Sequence, residues 1–159
     1  MNGPAIESLR QFNEFTIDRN LEGITEEESL RHPDAGGNCL NWVLGHIVAT
    51  RHAALRLLGV GGVWSATEID RYQRGSQPVN TVVEAKSWEE LRAAEARTRQ
   101  MLAEALKDVS RETLDTEVED KTFGATIGAN LLALQWHEGY HAGQLGVLRR
   151  VAGKAGALT

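Results

Sequence analysis

The stretch from about Thr126 to Gly153 is the longest apolar-periodic segment of this chain, yet its apolar face carries polar side chains. At 3.6 residues per turn, His137 and His141 fall near the centre of that face, beside Leu134 and Leu148. Asn130 and Gln144 share the sector, seven residues to either side of His137. A row of polar groups on a buried face is costly unless each finds a partner. Any fold adopted by this chain must therefore bring partners to that row. Two imidazoles four residues apart stand roughly 6 Å apart along the axis and about 40° around it. They can share a divalent ion, and outer hydrogen bonds from the flanking amides would complete the partnering. The simpler alternative is two core histidines bonded to backbone or to each other.

Three further helical segments precede this one. The first runs from about Pro4 to Asn20, with Leu9, Phe12 and Thr16 facing inward. The second starts at an Asn38 cap and ends near Gly59. One of its stripes holds Leu40, Val43, Leu44, Ile47, Leu55 and Leu58; another holds Cys39, Trp42, His46, Ala49, Ala53 and Leu57. Its polar edge is narrow (Asn41, Gly45, His52, Arg56), which predicts burial on most sides. The third opens on the capping box Ser87-Trp88-Glu89-Glu90 and ends near Val109. Residues 21–37 and 110–125 are polar connections. Residues 59–86 lack helical periodicity, and a loop of that length in a compact domain is functional or disordered. Its Trp64, Arg71, Tyr72 and Arg74 favour function. Four helices without convincing strands predict an all-α antiparallel four-helix bundle, one domain over residues 1–159, with a long loop between helices 2 and 3.

Composition narrows the function. The 159 residues are 42% hydrophobic and 25% charged, with a net charge of −5 and no basic stripe, so nucleic acid is not an expected partner. No apolar run reaches the ~18 residues that a membrane span needs. The first residues lack a basic start followed by an apolar run, so no secretory signal is expected. A single cysteine, Cys39, fits a reducing, cytoplasmic location.

A catalytic metal needs a third protein ligand beside the histidine pair. His32 sits beside a turn proline and His52 lies on the polar edge of the second helix, which leaves His46 as the best candidate. Cys39, roughly 10 Å away along the same helix, reads as core. His137-Glu138-Gly139-Tyr140-His141 also matches the HExxH metalloprotease pattern. The peptidase reading fails: Gln144 and Val147 stand where a metzincin needs Gly and His, and no Asp or Glu follows residue 141. Glu138 projects about 100° from His137, so it is either a general base at the site or an acid paired with a neighbouring cation. Gly139, Gly143 and Gly146 form a stripe away from the histidines, each costing about 1 kcal/mol against Ala; close approach of another helix, in the bundle or across a dimer, would compensate.

Asn41-Trp42-Val43-Leu44-Gly45-His46-Ile47 resembles the helix 2 signature of the DinB-like metal-binding four-helix proteins. His137 to Leu145, followed by Leu148-Arg149-Arg150, resembles their helix 4 signature, H-x-x-x-H-x-G-Q and a Leu-Arg-Arg run. The resemblance covers nearly the whole chain in order and length. It implies an up-down-down-up bundle, a three-histidine site (His46, His137, His141) for zinc, nickel or a similar ion, and a homodimer. Some relatives are S-transferases or isomerases that use low-molecular-weight thiols.

Three neutral imidazoles leave the charge of a divalent ion uncompensated, so a bound water or thiol would lose its proton near neutral pH. The expectation is a metal-dependent enzyme acting on small molecules, a thiol S-transferase or a hydrolase. Arg71 or Arg74 would meet an anionic substrate or thiol carboxylate, and Tyr72 and Trp64 would wall the pocket. The competing reading is a metal-binding stress or interaction protein without turnover. A third is a structural bundle whose histidines bond internally.

Overall fold

The computed structural model of the chain describes residues 3–81 and 83–158. Its four long helices are α1 (Gly3–Leu21), α3 (Leu40–Leu57), α5 (Trp88–Lys107) and α7 (Ile127–Val151). Three short ones fill the connections: α2 (Glu26–Ser29), α4 (Ala66–Tyr72) and α6 (Arg111–Asp115). No strand is named among the described residues, only an isolated bridge between Glu117 and Thr126. No helix among them is long and apolar enough to cross a membrane.

Local chemistry explains where the helices start. Ser87 and Glu90 form the expected capping box on α5, and the Thr126 hydroxyl accepts from Ala129 N–H at the head of α7. The start of α3 differs from expectation: its N-cap is Cys39, without a side-chain cap, rather than Asn38. Gly59, at φ +72°, stops α3 as expected. The polar connections hold more helix than their periodicity suggests, because α2 and α4 carry capping boxes of their own, Thr25/Glu28 and Ser65/Glu68.

The inward face of α1 is a correction. Ile6, Arg10, Asn13, Ile17 and Asn20 are buried, whereas Phe12 is 70% exposed. Polar groups take the buried face because they bond across it: the amide of Asn13 donates to Gln135 O (2.8 Å) and that of Asn20 to Ala142 O (3.0 Å). Both partners advance by seven residues in the same sense, so α1 and α7 run parallel. Gly139 and Gly146 make the approach possible. A Cβ at Gly139 would lie 2.9 Å from Asn13 Oδ1 and one at Gly146 3.3 Å from Asn20, whereas Gly143 has open space.

The core has two apolar parts with a polar belt between them. One part gathers Ile17, Leu44, Ile47, Leu91, Leu145 and Leu148. The other gathers Ile6, Leu55, Leu102, Leu131 and Leu134. Along α1 and α7 the chain passes from the second part to the first; along α3 and α5 it passes the other way. That order gives the up-down-down-up bundle. At the belt, Arg51 of α3 is 2% exposed and lies between Glu95 of α5 and Glu138 of α7.

Candidate metal centre

His46 of α3 meets His137 and His141 of α7 at one end of the polar belt. One ring nitrogen from each lies within 4.8 Å of the other two. The ring centroids are 5.2 Å (His46–His137), 4.7 Å (His46–His141) and 4.5 Å (His137–His141) apart.

Two of the rings are fixed from behind. His46 Nδ1–H donates to Tyr72 O (2.7 Å), and His141 Nδ1–H donates to Gln144 Oε1 (2.8 Å). Both tautomers leave the Nε2 lone pair free for the shared space, as outer partners of metal-ligating histidines do. The third ring tests the fit. His137 Nε2 stands 3.1 Å from His141 Nε2, and His137 Nδ1 is buried without a partner among the described residues. A proton between the two Nε2 atoms would strand Nδ1 as an unused acceptor and give His46 nothing. A cation shared by all three nitrogens engages every free lone pair. The donor set fits a divalent ion.

Burial holds all three imidazoles below the usual histidine range, and that is the largest cause for each. The rings also depress one another, His141 acting on His46, His46 on His137 and His137 on His141. Tyr72 O opposes the shift at His46, and Glu138 at the other two. Neutral imidazoles at pH 7 are what a metal requires.

The surroundings explain why His46 points here. A Cβ at position 45 would overlap the Tyr72 ring, so Gly45 lets α4 approach α3 until Tyr72 O reaches the next residue's imidazole. The Tyr72 hydroxyl donates to Asn41 Oδ1 (3.3 Å) and accepts from Lys86 N–H (2.7 Å), which ties the middle and the far end of the 59–86 segment to α3. Trp42 stacks on His46 at 5.0 Å and donates its indole N–H to Ser76 Oγ (3.0 Å). On the open side lies a cleft of about 600 Å³, walled by Trp42, Trp136 and Tyr140, with Arg74 and Gln144 at its edge.

Residues 16–145, which include all three histidines and every helix from α2 to α6, match the DinB superfamily. The chain belongs to the DinB superfamily. No curated protein matches it.

In this DinB superfamily member several residues expected at the site stand elsewhere. Glu138 is buried and directed at Arg51, whose Nε and Nη2 donate to its two carboxylate oxygens (2.9 and 2.7 Å). Both carboxylate oxygens are thus engaged in an ion pair with a buried guanidinium, the arrangement of an acid paired with a neighbouring cation. Asn130, expected beside the histidines, bonds Gly124 O and Thr126 O at the head of α7. Arg71 spends its guanidinium on Glu84 O, Gln77 O and Pro78 O, so it shapes the loop rather than facing a substrate. Tyr72 is fully buried, and Trp64 packs between His52 and Tyr72; both anchor the loop instead of walling the cleft. Gln144 is at the site, behind His141, and Arg74 is at the cleft.

The remaining histidines also have structural tasks. His52 Nδ1–H donates to Val48 O, and its Nε2 accepts from the backbone N–H groups of Val63 and Trp64. His32 bridges Gly37 O and Val79 O. Arg51 was missed by the sequence reading, although it is legible: it lies seven residues after Leu44 and four before Leu55, on the apolar stripe of α3. Trp136 and Tyr140 were also missed, and no sequence signal distinguishes them from surface aromatics.

Proposed function

We propose that this protein is a metal-dependent enzyme acting on small molecules, with His46, His137 and His141 holding zinc or nickel. The convergence of three neutral imidazoles, two locked by outer hydrogen bonds, is the observation that carries the reading. A divalent ion held by three uncharged ligands keeps its full charge, and it lowers the pKa of a thiol or water brought to it. The chemistry we assign is thiol-dependent S-transfer or hydrolysis, both of which begin with such a nucleophile. Tyr72 O and Gln144 orient two of the rings. Trp42 covers His46 on its stacked face and keeps water from it, while the cleft between Trp42 and Tyr140 admits a substrate. A lone buried thiol, Cys39, suits a reducing cytosol, where low-molecular-weight thiols are abundant. Burial pushes that thiol above its usual range, so it is no nucleophile itself. We also assign a homodimer, supported by Phe12, Phe15 and Val147, which stand 70%, 56% and 64% exposed on the outer faces of α1 and α7.

Metal content and native mass, measured on protein purified without chelator, test the reading. One divalent ion per chain and a mass of two chains are expected, with the ion lost and the helical circular dichroism kept in His46→Ala. Absence of a stoichiometric ion, or its retention by His46→Ala, overturns the metal site. Turnover is read in a screen of thiols against electrophiles; stoichiometric metal with no activity would favour a metal-binding protein without catalysis.

A further inference from the structure

We propose that the cleft takes a small, flat anion, an aromatic or conjugated carboxylate, with its carboxylate on Arg74 and its body against Trp136 and Tyr140. The proposal rests on the metal-enzyme reading and gives it a substrate class. Charge points to the anion first. This chain has 22 acidic residues and a net charge of −5, yet among the described residues no Asp or Glu lines the cleft. Arg74 is the only Lys or Arg among them that does. The nearest acid in sequence to the histidines, Glu138, faces Arg51.

The two loop arginines divide the work. Arg71 donates from all three of its side-chain nitrogens to backbone carbonyls and builds the loop. Arg74 is exposed and has no hydrogen-bond or ion-pair partner among the described residues. It sits on a turn held at both ends: Ser76 N–H donates to Gln73 O (3.1 Å), and Ser76 Oγ receives the Trp42 indole. The turn therefore presents this guanidinium at the cleft, close enough that its charge bears on His137.

Shape supplies the rest. Trp136 and Tyr140 lie one turn apart on α7, line the cleft and stand 69% and 61% exposed. A flat body covers such rings with little loss of conformational freedom. A single guanidinium fork matches a carboxylate in two parallel hydrogen bonds. Phosphate sites often gather several cations, whereas Arg74 is the one Lys or Arg lining this cleft among the described residues. The Gln144 amide N–H₂, free once Oε1 has taken His141, adds a neutral donor nearby.

The test is titration calorimetry of the full chain with 2-naphthoate and its neutral isostere 2-naphthamide, in zinc-loaded and EDTA-stripped protein. Naphthoate is expected to bind roughly 10-fold tighter than naphthamide, the ordinary worth of one charge-assisted fork. That preference should be present in both metal states. Arg74→Gln should bring the two affinities together, Arg74→Lys should retain part of the preference, and Trp136→Ala should weaken both ligands while preserving their ratio. Binding of neither ligand overturns the proposal, as does a preference that survives Arg74→Gln. A preference seen only with zinc also overturns it, because the cation and not Arg74 would then take the carboxylate. Failure of the metal reading shows separately, as an absence of zinc uptake when the stripped protein is reloaded.

Discussion

Arg51→Met should be the most damaging single change in the bundle outside the apolar core. The guanidinium is 2% exposed and supplies the only donors to the Glu138 carboxylate among the described residues, at 2.9 and 2.7 Å. It also donates to Glu95 Oε1 (3.0 Å) and Glu95 O (3.1 Å). Glu95 keeps a second cation, Arg99, at 2.8 Å, so one carboxylate rather than two is stranded. Removing one partner of a buried pair costs about 3–5 kcal/mol, because the other charge is left without compensation. For a chain of this size that is a fall of roughly 6–20 °C in Tm. Replacing both partners removes the desolvation cost together with the attraction, so Arg51→Met/Glu138→Leu should return to within about 1–2 kcal/mol of the parent. Urea unfolding followed by circular dichroism, with EDTA present to remove any metal linkage, gives the four corners of the cycle. A loss below about 1 kcal/mol in Arg51→Met would refute the reasoning. So would a double variant no more stable than the single one.

Two further outcomes follow from the same geometry. Gly143→Ala should stabilise by up to about 1 kcal/mol, since a Cβ there meets nothing and helix propensity improves. Gly139→Ala should destabilise, because its Cβ would displace the Asn13 amide from Gln135 O; thermal unfolding of the pair checks the contrast, and equal shifts would contradict the helix contact. The stripped protein should lose stability as pH falls from the ordinary imidazole value of 6.5 through the lower folded values of His46, His137 and His141. In that window the unfolded chain binds more protons than the folded one, so acid favours unfolding. Urea midpoints at pH 7.5 and 5.5 read the slope, which His46→Gln should reduce and which a flat profile would rule out.

Sequence periodicity and capping residues exposed α7, the cap of α5 and the histidine row, because each is a local pattern written in consecutive residues. It misplaced the face of α1 for a physical reason. Hydrophobic pattern assigns Phe12 inward, but the groove against α7 is filled by Asn13 and Asn20, whose bonds to carbonyls 122 residues away have no local trace. Asn130 and Gln144 look equivalent about His137, yet the helix head at Thr126 claims Asn130 and leaves only Gln144 for the site. Arg71 and Arg74 likewise differ only in what the folded loop offers them. Their separate roles cannot be read before the carbonyls of Gln77, Pro78 and Glu84 are in place.

The buried polar groups that upset the pattern also fix the site. Apolar side chains tolerate sliding of one helix along another, whereas a directional hydrogen bond does not. Asn13 bonds the carbonyl of Gln135, two residues before His137, and Asn20 bonds that of Ala142, one residue after His141. Arg51 clamps Glu138, the neighbour of His137, from the same helix that carries His46. A slip of α7 by one turn would carry its histidines about 5.4 Å along the axis, beyond the 4.8 Å within which the three nitrogens now meet. That slip would break all three polar clasps at once. The register that brings His46 to His137 and His141 is therefore held by bonds placed within two residues of the histidines of α7, and the cost of burying polar groups on α1 and α3 is what makes the convergence specific.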